Sequence, residues 1–562
     1  MADTQQLTEQ IYIEVDGNPN VDLMGDQLEV IVESSLQLPD VATIVVHDST
    51  LRWVDDRALE PGKTLAIKAR TEAGEEQPLF QGEIVEIEPD FRPGSQRFTV
   101  RAYDRMHRLA RGTHVRSFLN VTDGDLVQKI AQELGLSANV GPTSQVHPYV
   151  LQANETNYAF LRRRAAALGY VLYMDDSTLC FKAPDADAAE VELKWAETLL
   201  EFHPRLTTVE QVVTDVVRGW DPDQRQEIVG KATNGDGTPK IGESRPGGQL
   251  AKQAYGVDAQ RLTAAQPVRS QAEADRLAKA LADRRASAFI EADGICKGNP
   301  KIVAGTALKI VSVGDRFSGT YVCTNARHVY DRAQSGYTTE FSITGQHPAS
   351  LLALLVPEPK AAVGERMAIG VVTNNDDPDG LGRVKVKFPW LSPDHESNWA
   401  RVVTPGGGKE RGLEFLPEIN DEVLVAFDLG DVDHPYVLGG LWNAKDKPAG
   451  DQGKVVSGGK VEQRIIRSRT GHKITIDDSD GASGIRIEDK NGNVIHLEAT
   501  SDALTVKTKG NVKIESRGEV TVKAQASLSL EAAGPVTIRG MGITIDGGAG
   551  VVDVRGTLIK LN

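Results

Sequence analysis

From Leu504 onward, two aliphatic residues flanking one polar residue recur every eight positions. The pairs are Leu504 and Val506, Val512 and Ile514, Val520 and Val522, Leu528 and Leu530, Val536 and Ile538, Ile543 and Ile545, Val552 and Val554, and Ile559 and Leu561. Their first members stand at 504, 512, 520, 528, 536, 543, 552 and 559, so the beat of eight slips by one residue only near its end. Alternation of this kind makes strands with one buried face, and a fixed period makes stacked repeats. From residue 451 to residue 562 there is no Phe, Tyr, Trp or Cys, and Pro535 is the sole proline. The large rings that ordinarily fill a core are missing.

An octad extended at about 3.3 Å per residue spans ~26 Å at most, so a triangular coil of one chain has sides of only ~9 Å. Two facing layers of side chains need about 10 Å between sheets. One chain cannot wrap so tight a coil and fill it. Three chains can, if each octad supplies one side of a three-sided prism. The sequence therefore predicts an intertwined triple-stranded β-helix, a homotrimer whose core is lined by Leu504, Val506, Val512, Ile514, Val520, Val522, Leu528, Leu530, Val536, Ile538, Ile543, Ile545, Val552 and Val554. Pairing between chains removes the hazard of open strand edges. Eight to eleven strands per chain, stacked at ~4.8 Å, make a needle roughly 40–55 Å long. The alternative is a single-chain β-solenoid or a small sandwich; an octad is too short for a solenoid rung. Segments Lys473–Asp477, Gly484–Glu488 and 493–498 alternate too, at irregular spacing, as a lead-in to the repeat. Outward positions carry both signs, with 16 Lys and Arg against 14 Asp and Glu from residue 451 on.

Residues 364–445 form a separate unit of five short strand-like segments, which suits a small Greek-key barrel such as an OB fold. Asn375-Asp-Asp-Pro-Asp-Gly380 places oxygens as an EF-hand loop does, but its twelfth position is Val386 where a bidentate Glu is needed, so a hairpin turn is expected. Pro405-Gly-Gly-Gly-Lys-Glu410 lacks the spacing of a phosphate loop and puts Glu410 where a hydroxyl is required. Glu418, Asp421 and Glu422 flank Asn420 as turn residues before a strand.

Residues 1 to about 345 read as mixed α and β. Alternation marks strands at 11–15, 28–32, 65–68 and 97–101. A helix is predicted from Asp123 to Leu134, capped by Thr122 and stopped by Gly135, with Leu126, Ile130 and Leu134 on one face. A second follows Thr156 and ends near Gly169, and a third begins at Ser270, where Ser270-Gln-Ala-Glu273 is a capping box and Ala274, Leu277 and Leu281 form the apolar side. A loop is predicted around 234–248.

Charge bounds the function. With 63 Lys and Arg against 79 Asp and Glu, the net −16 argues against a general nucleic-acid binder. Cys180, Cys296 and Cys323 are odd in number and widely spaced, which predicts reduced core thiols. His47, His107, His114, His147 and His328 show no ligand spacing and no recognisable nucleophile beside them. Arg162-Arg-Arg164 reads as a helix face at an interface. The N-terminus shows no signal peptide, and no apolar run approaches the ~20 residues of a membrane helix, so synthesis in the cytoplasm is expected.

Several stretches resemble VgrG proteins and the phage late control protein D family. In the barrel they are Asp379-Gly-Leu-Gly-Arg-Val-Lys-Val-Lys-Phe-Pro-Trp390, Leu416-Pro-Glu-Ile-Asn-Asp-Glu-Val-Leu-Val425 and His434-Pro-Tyr-Val-Leu-Gly-Gly-Leu-Trp-Asn443. Upstream they are Asn154-Glu-Thr-Asn-Tyr-Ala-Phe-Leu-Arg-Arg163, Leu168-Gly-Tyr170, Arg218-Gly-Trp-Asp-Pro222, Ser270-Gln-Ala-Glu-Ala274, Lys297-Gly-Asn-Pro300 and Gly314-Asp-Arg-Phe-Ser-Gly-Thr-Tyr321. The resemblance implies a mainly β chain divided into a hub with two barrels and helical insertions (1–350), a linker (351–363), an OB-fold collar (364–445), a connector (446–465) and the trimeric β-helix needle (466–562). It implies a fused hub and spike of a contractile, phage-tail-like injection system that punctures a membrane mechanically. Expected partners are the chain itself, a hexameric tail tube protein seated on a six-fold-like ring, baseplate proteins, possible effectors, and a PAAR-repeat tip protein meeting Ile559, Lys560, Leu561 and Asn562. No catalytic residue, cofactor or metal is expected: no His follows His496 to make a metal tip, and no lysozyme-like or toxin segment is recognised. The alternative function is a stand-alone β-helical adhesin or glycan-binding tailspike.

Overall fold

In strand Ile11–Val15, Ile11, Ile13 and Val15 are buried while Tyr12 and Glu14 are not, and Val41–His47 and Thr64–Arg70 repeat the pattern. Period-2 alternation thus sets one face of each strand against a core. The computed structural model describes residues 11–70, 74–184, 190–222, 224–264, 267–332, 336–345, 367–392 and 394–560. The expected linker at 351–363, and Leu561 and Asn562, lie outside the described residues. The chain divides into two units, 1–442 and 443–562.

In the first unit, eleven strands from two distant stretches share one sheet. Its order is Leu199–Leu206, Ile290–Lys297, Gly336–Ile343, Asn325–Asp331, Gln27–Ser35, Val41–His47, Ser95–Tyr103, Glu76–Arg92, Thr64–Arg70, Ile11–Val15 and Asn18–Pro19. The stretches meet where Asn325–Asp331 pairs antiparallel with Gln27–Ser35, Val329 opposite Ile31. Two cores pack on it, one around Ile13, Ile44, Trp53, Ile67 and Phe98, which Tyr330 and Tyr337 of the second stretch join, the other around Leu199, Phe289, Tyr321 and Phe341. Cys296 and Cys323 are buried in the second core, Cys180 is buried elsewhere, and all three are free thiols.

Helices form where caps and periodicity agree. Helix Asp123–Glu133 starts with a reciprocal capping box between Thr122 and Asp125. Helix Asn157–Leu168 runs from the Thr156 cap to left-handed Gly169. Both pack on a core of Phe118, Leu126, Ile130, Phe160, Leu172 and Phe181. Helix Gln271–Ser287 is capped by the Ser270 side chain, but Glu273 reaches the Arg269 N–H rather than that of Ser270, so the expected box is only half made. This helix lies on strand Gln226–Thr233, where a Cβ on Gly230 would stand 2.3 Å from the Ala274 carbonyl carbon. Arg285 on the same helix pairs with Asp215, and both are buried.

The OB-type barrel orders its strands Lys385–Lys387, Ala368–Asn374, Glu422–Asp428, Asp431–Gly440 and Arg401–Val402. Val384 and Ala400 exchange hydrogen bonds of 2.9 and 2.7 Å between the two outer strands, which closes the ring. Val372, Val384, Val386, Ala400, Val423, Val425 and Val437 fill it and are fully buried.

In the second unit, strands Gln463–Arg467, Lys473–Asp477, Gly484–Glu488, Val494–Glu498 and Ala503–Lys507 form an antiparallel meander in chain order. The first was not legible as a strand, because Ile465 and Ile466 stand side by side and break the alternation. Beyond Lys507 the described chain forms no helix or strand, and among residues 511–560 the one backbone–backbone hydrogen bond closes a glycine turn from Gly550 to Gly547.

Candidate functional site

Register places the meander's aliphatic residues in two rows on one face. Ile466, Ile474, Ile487, Ile495 and Val506 stand opposite one another across the five strands. Ile476, Ile485, Leu497 and Leu504 form the second row. All nine are between 38% and 63% exposed. On the opposite face Thr475 and Val494 are buried, and ion pairs join Arg486 to Glu488 (3.2 Å) and His496 to Glu498 (2.9 Å). The apolar side is the bare one. Burying one such side chain is worth roughly 1.5–3 kcal/mol, so nine half-exposed ones represent on the order of 10 kcal/mol per chain.

The octad residues continue this condition. Val512, Ile514, Val520, Val522, Leu528, Leu530, Val536, Ile538, Ile543, Ile545, Val552 and Val554 are 50–78% exposed. Their backbone makes no strand ladder within the chain. Leu504 and Val506, which open the octad count, lie in the last meander strand instead. Ile559 and Lys560 are exposed. A single-chain solenoid or sandwich would bring these strands together within one chain, and the described residues show neither.

A second assembly of functional groups joins the barrel to the hub within the first unit. Tyr149, Leu151 and Ala153 pack against Val432. Tyr149 Oη donates to the Glu396 carbonyl (2.7 Å), and the Leu151 N–H donates to Asp433 Oδ1 (2.8 Å). Asp431 Oδ2 lies 2.9 Å from His434 Nδ1, Arg163 pairs with Glu155 at 2.8 Å, and Arg269 pairs with Asp428. Burial, and then the neighbouring Asp431 charge, pushes the Asp433 carboxyl up to about 7. Burial opposes the charged form of His434 also, but its bond to Asp431 raises it. Nothing local in the sequence marks this joint, since Leu151 and Asp433 are 282 positions apart.

Most of the other singled-out residues have structural partners. Asp377 takes the N–H groups of Asp379, Leu381 and Arg383 and a fork from the Arg383 guanidinium, so its oxygens clasp the turn. Gly408 and Arg411 pair across the glycine loop, and Asp421 accepts from the Glu418 N–H (2.8 Å). His107 contacts Glu83 (3.0 Å), and His147 and Arg164 share Asp123. His328 is held by the Ile302 carbonyl, Tyr337 and Thr339, and burial lowers it to about 4. Among the described residues no group of three His, Cys, Asp or Glu could hold a metal ion. No helix there is long and apolar enough to cross a membrane.

Two family models match this architecture. Residues 5–331 match the Alg8 N-terminal domain, and residues 368–442 match the type VI secretion system/phage-baseplate injector OB domain. Type VI secretion system spike protein VgrG5 of Pseudomonas aeruginosa is 33% identical over 121 residues, which is 20% of this chain and 14% of that protein. The actin cross-linking toxin VgrG1 of Vibrio cholerae is 33% identical over 119 residues, 20% of this chain and 11% of that protein. The chain thus matches only a small part of these curated relatives. A chain of the Francisella PdpA–VgrG complex in its lidded form shares the fold, with a TM-score of 0.53 at 9% identity over 89% of this chain and 80% of that one. The first model alone covers more than half of the sequence, and with the injector OB domain behind it the chain belongs to the Alg8 N-terminal domain family and is a VgrG-family protein.

Proposed function

We propose that this chain is the hub and spike of a contractile, phage-tail-like injection system and works as a homotrimer. The observation that carries the reading is the apolar face of the second unit, bare from Ile466 through the octads on a chain with no ladder of its own beyond Lys507. Backbone polar groups in a rigid, dry structure need partners. Two further copies of the same segment supply both the hydrogen bonds and the missing side of the core. Residues 463–507 join the needle as an open-faced lead-in, and the octads form its three-sided shaft.

The mechanism is mechanical. Main-chain pairing between three polypeptides makes a stiff rod, and dissociating it exposes three apolar faces at once. Sheath contraction drives that rod, and its narrow end concentrates the force on the target membrane. The hub of 1–350 seats a hexameric tail tube and baseplate proteins, the collar of 364–445 joins hub to needle, and Ile559 and Lys560 meet a PAAR-type tip protein that covers open strand edges. No step in this action needs a catalytic group; actin cross-linking is what the Vibrio relative is named for.

The test is the double substitution Val520→Asp and Val522→Asp in the full chain. Six carboxylates at one level of the shaft core leave the hub soluble and abolish the trimer in multi-angle light scattering. A trimer of unchanged mass overturns the assignment of these residues to the core.

A further inference from the structure

The residue after each of the first seven octad pairs carries a charge whose sign alternates along the chain. It is Lys507, then Glu515, Lys523, Glu531, Arg539 and Asp546, and the series closes at Arg555. The alternation survives the slips in spacing, because it follows the aliphatic pairs rather than the count of eight. These side chains are all exposed. Lys513 pairs with Glu515, and Asp553 with Arg555 at 2.5 Å, so at these two repeats charged residues two apart share one side, and in a paired strand that side is opposite the aliphatic pair.

We propose that these charges form a ladder between chains that sets the register of the trimer and selects identical partners. The inference rests on the three-chain reading above. If each octad supplies one side of the prism and the chain then turns to the next, repeat n of one chain lies beside repeat n+1 of its neighbour on every side. The strands run parallel at about 4.8 Å, and residues at the same place in the octad stand directly side by side. A sign that alternates from one repeat to the next puts opposite charges together at every step. A slip by one repeat between chains sets like charge against like, which is penalised where the aliphatic core alone is indifferent. The core repeats are nearly uniform, so they give adhesion without register; the outer charges supply the missing specificity.

The experiment uses two full-length chains with different affinity tags, the natural one and one with all seven signs inverted. Each keeps the alternation, so each assembles alone. In a mixed trimer about a dozen neighbours turn from opposite to like charge, and co-expression yields two kinds of homotrimer, with mixed species depleted at least about tenfold by native mass spectrometry at low salt. Raising salt to ~1 M restores mixing, because exposed charges are screened. Statistical mixing at low salt overturns the ladder and leaves the trimer standing. Absence of any trimer from the natural chain overturns the three-chain reading itself. Should the inverted chain fail to assemble alone, Lys523→Glu places a third carboxylate between Glu515 and Glu531. The ladder then requires a lower thermal midpoint that ~1 M salt largely restores, and an unchanged midpoint overturns it.

Discussion

The collar and the meander are both five-stranded sheets of alternating residues, and they dispose of their apolar rows in opposite ways. In the collar, Val372, Val386, Val423, Val425 and Val437 point into a ring that the Val384–Ala400 bonds close. In the meander, Ile474, Ile487 and Ile495 repeat the same chemistry on a sheet that never closes, and they face outward. Alternation alone does not say which will happen. What decides is whether a single chain can bring its outer strands together. The collar has long loops that carry Lys385–Lys387 round to Arg401–Val402, whereas the meander's turns only join neighbours. A closed core and a bare apolar face are thus written in one residue pattern and distinguished by connectivity.

The sharpest way to break this contrast is to charge the meander face. Ile474→Lys with Ile487→Lys is neutral for a sheet that faces water and ruinous for one that faces two copies of itself. We expect complete loss of the trimer by light scattering, with the collar and hub still folded by circular dichroism. A full-length trimer that tolerates both lysines places the interface elsewhere.

A smaller perturbation compares the two cores directly. Val425→Ala removes two methyl groups from a closed core and costs about 1–2 kcal/mol, at any protein concentration. On the three-chain reading, Ile487→Ala removes one carbon more, from a shared core. Its effect counts once per chain, and the thermal midpoint it lowers rises with protein concentration, because assembly and folding are linked. If both variants unfold independently of concentration, the two sheets do not differ as argued.

Much of this contrast was legible in residues alone. The caps at Thr122, Thr156 and Ser270 and the stop at Gly169 are local chemistry, and the helices begin and end there. The octads and the aromatic-free tail are equally local. Less legible was strand Gln463–Arg467, where two adjacent isoleucines hide the alternation. Leu504 and Val506 share the octad's pattern but belong to an antiparallel turnback, which spacing does not distinguish from a shaft repeat. The hub–collar joint was not legible at all. Its contacts pair Leu151 with Asp433 and Arg269 with Asp428, groups far apart in sequence that no periodicity connects.

Closing the collar ring also depends on one hydroxyl. Ser397 Oγ accepts the Val386 N–H (3.1 Å) and donates to the Asn398 carbonyl (2.6 Å) beside the bridging strands. Ser397→Ala leaves the N–H unpaired in the core and costs about 1–3 kcal/mol. The loss reports on the collar alone, with trimer mass unchanged, and a variant that dissociates the trimer instead would tie ring closure to assembly.

The finest discrimination between the two regions is by proton. Residues 511–560 contain no histidine, the side chain that ordinarily changes charge between pH 5 and 8. The joint differs. Folding lifts Asp433 to about 7 from an ordinary value near 4, so between those limits the folded chain holds a proton that the unfolded chain has released. Stability of the joint therefore falls as pH rises from about 4 to about 7 and levels off above. His434, raised by Asp431, adds a loss in the same direction as pH climbs through its folded value. Asp431 is held below its ordinary value by His434 despite burial, and its contribution is lost only at lower pH, as the carboxylate protonates. The expected signature is faster hydrogen exchange of the Leu151 amide at pH 8 than at pH 5, after correction for the intrinsic rate. Asp433→Asn keeps an oxygen for that amide but has no proton to lose, and it flattens the slope. An unchanged slope in the variant would mean that His434 alone governs the joint, and a matching slope in the octad amides would erase the distinction between the two regions.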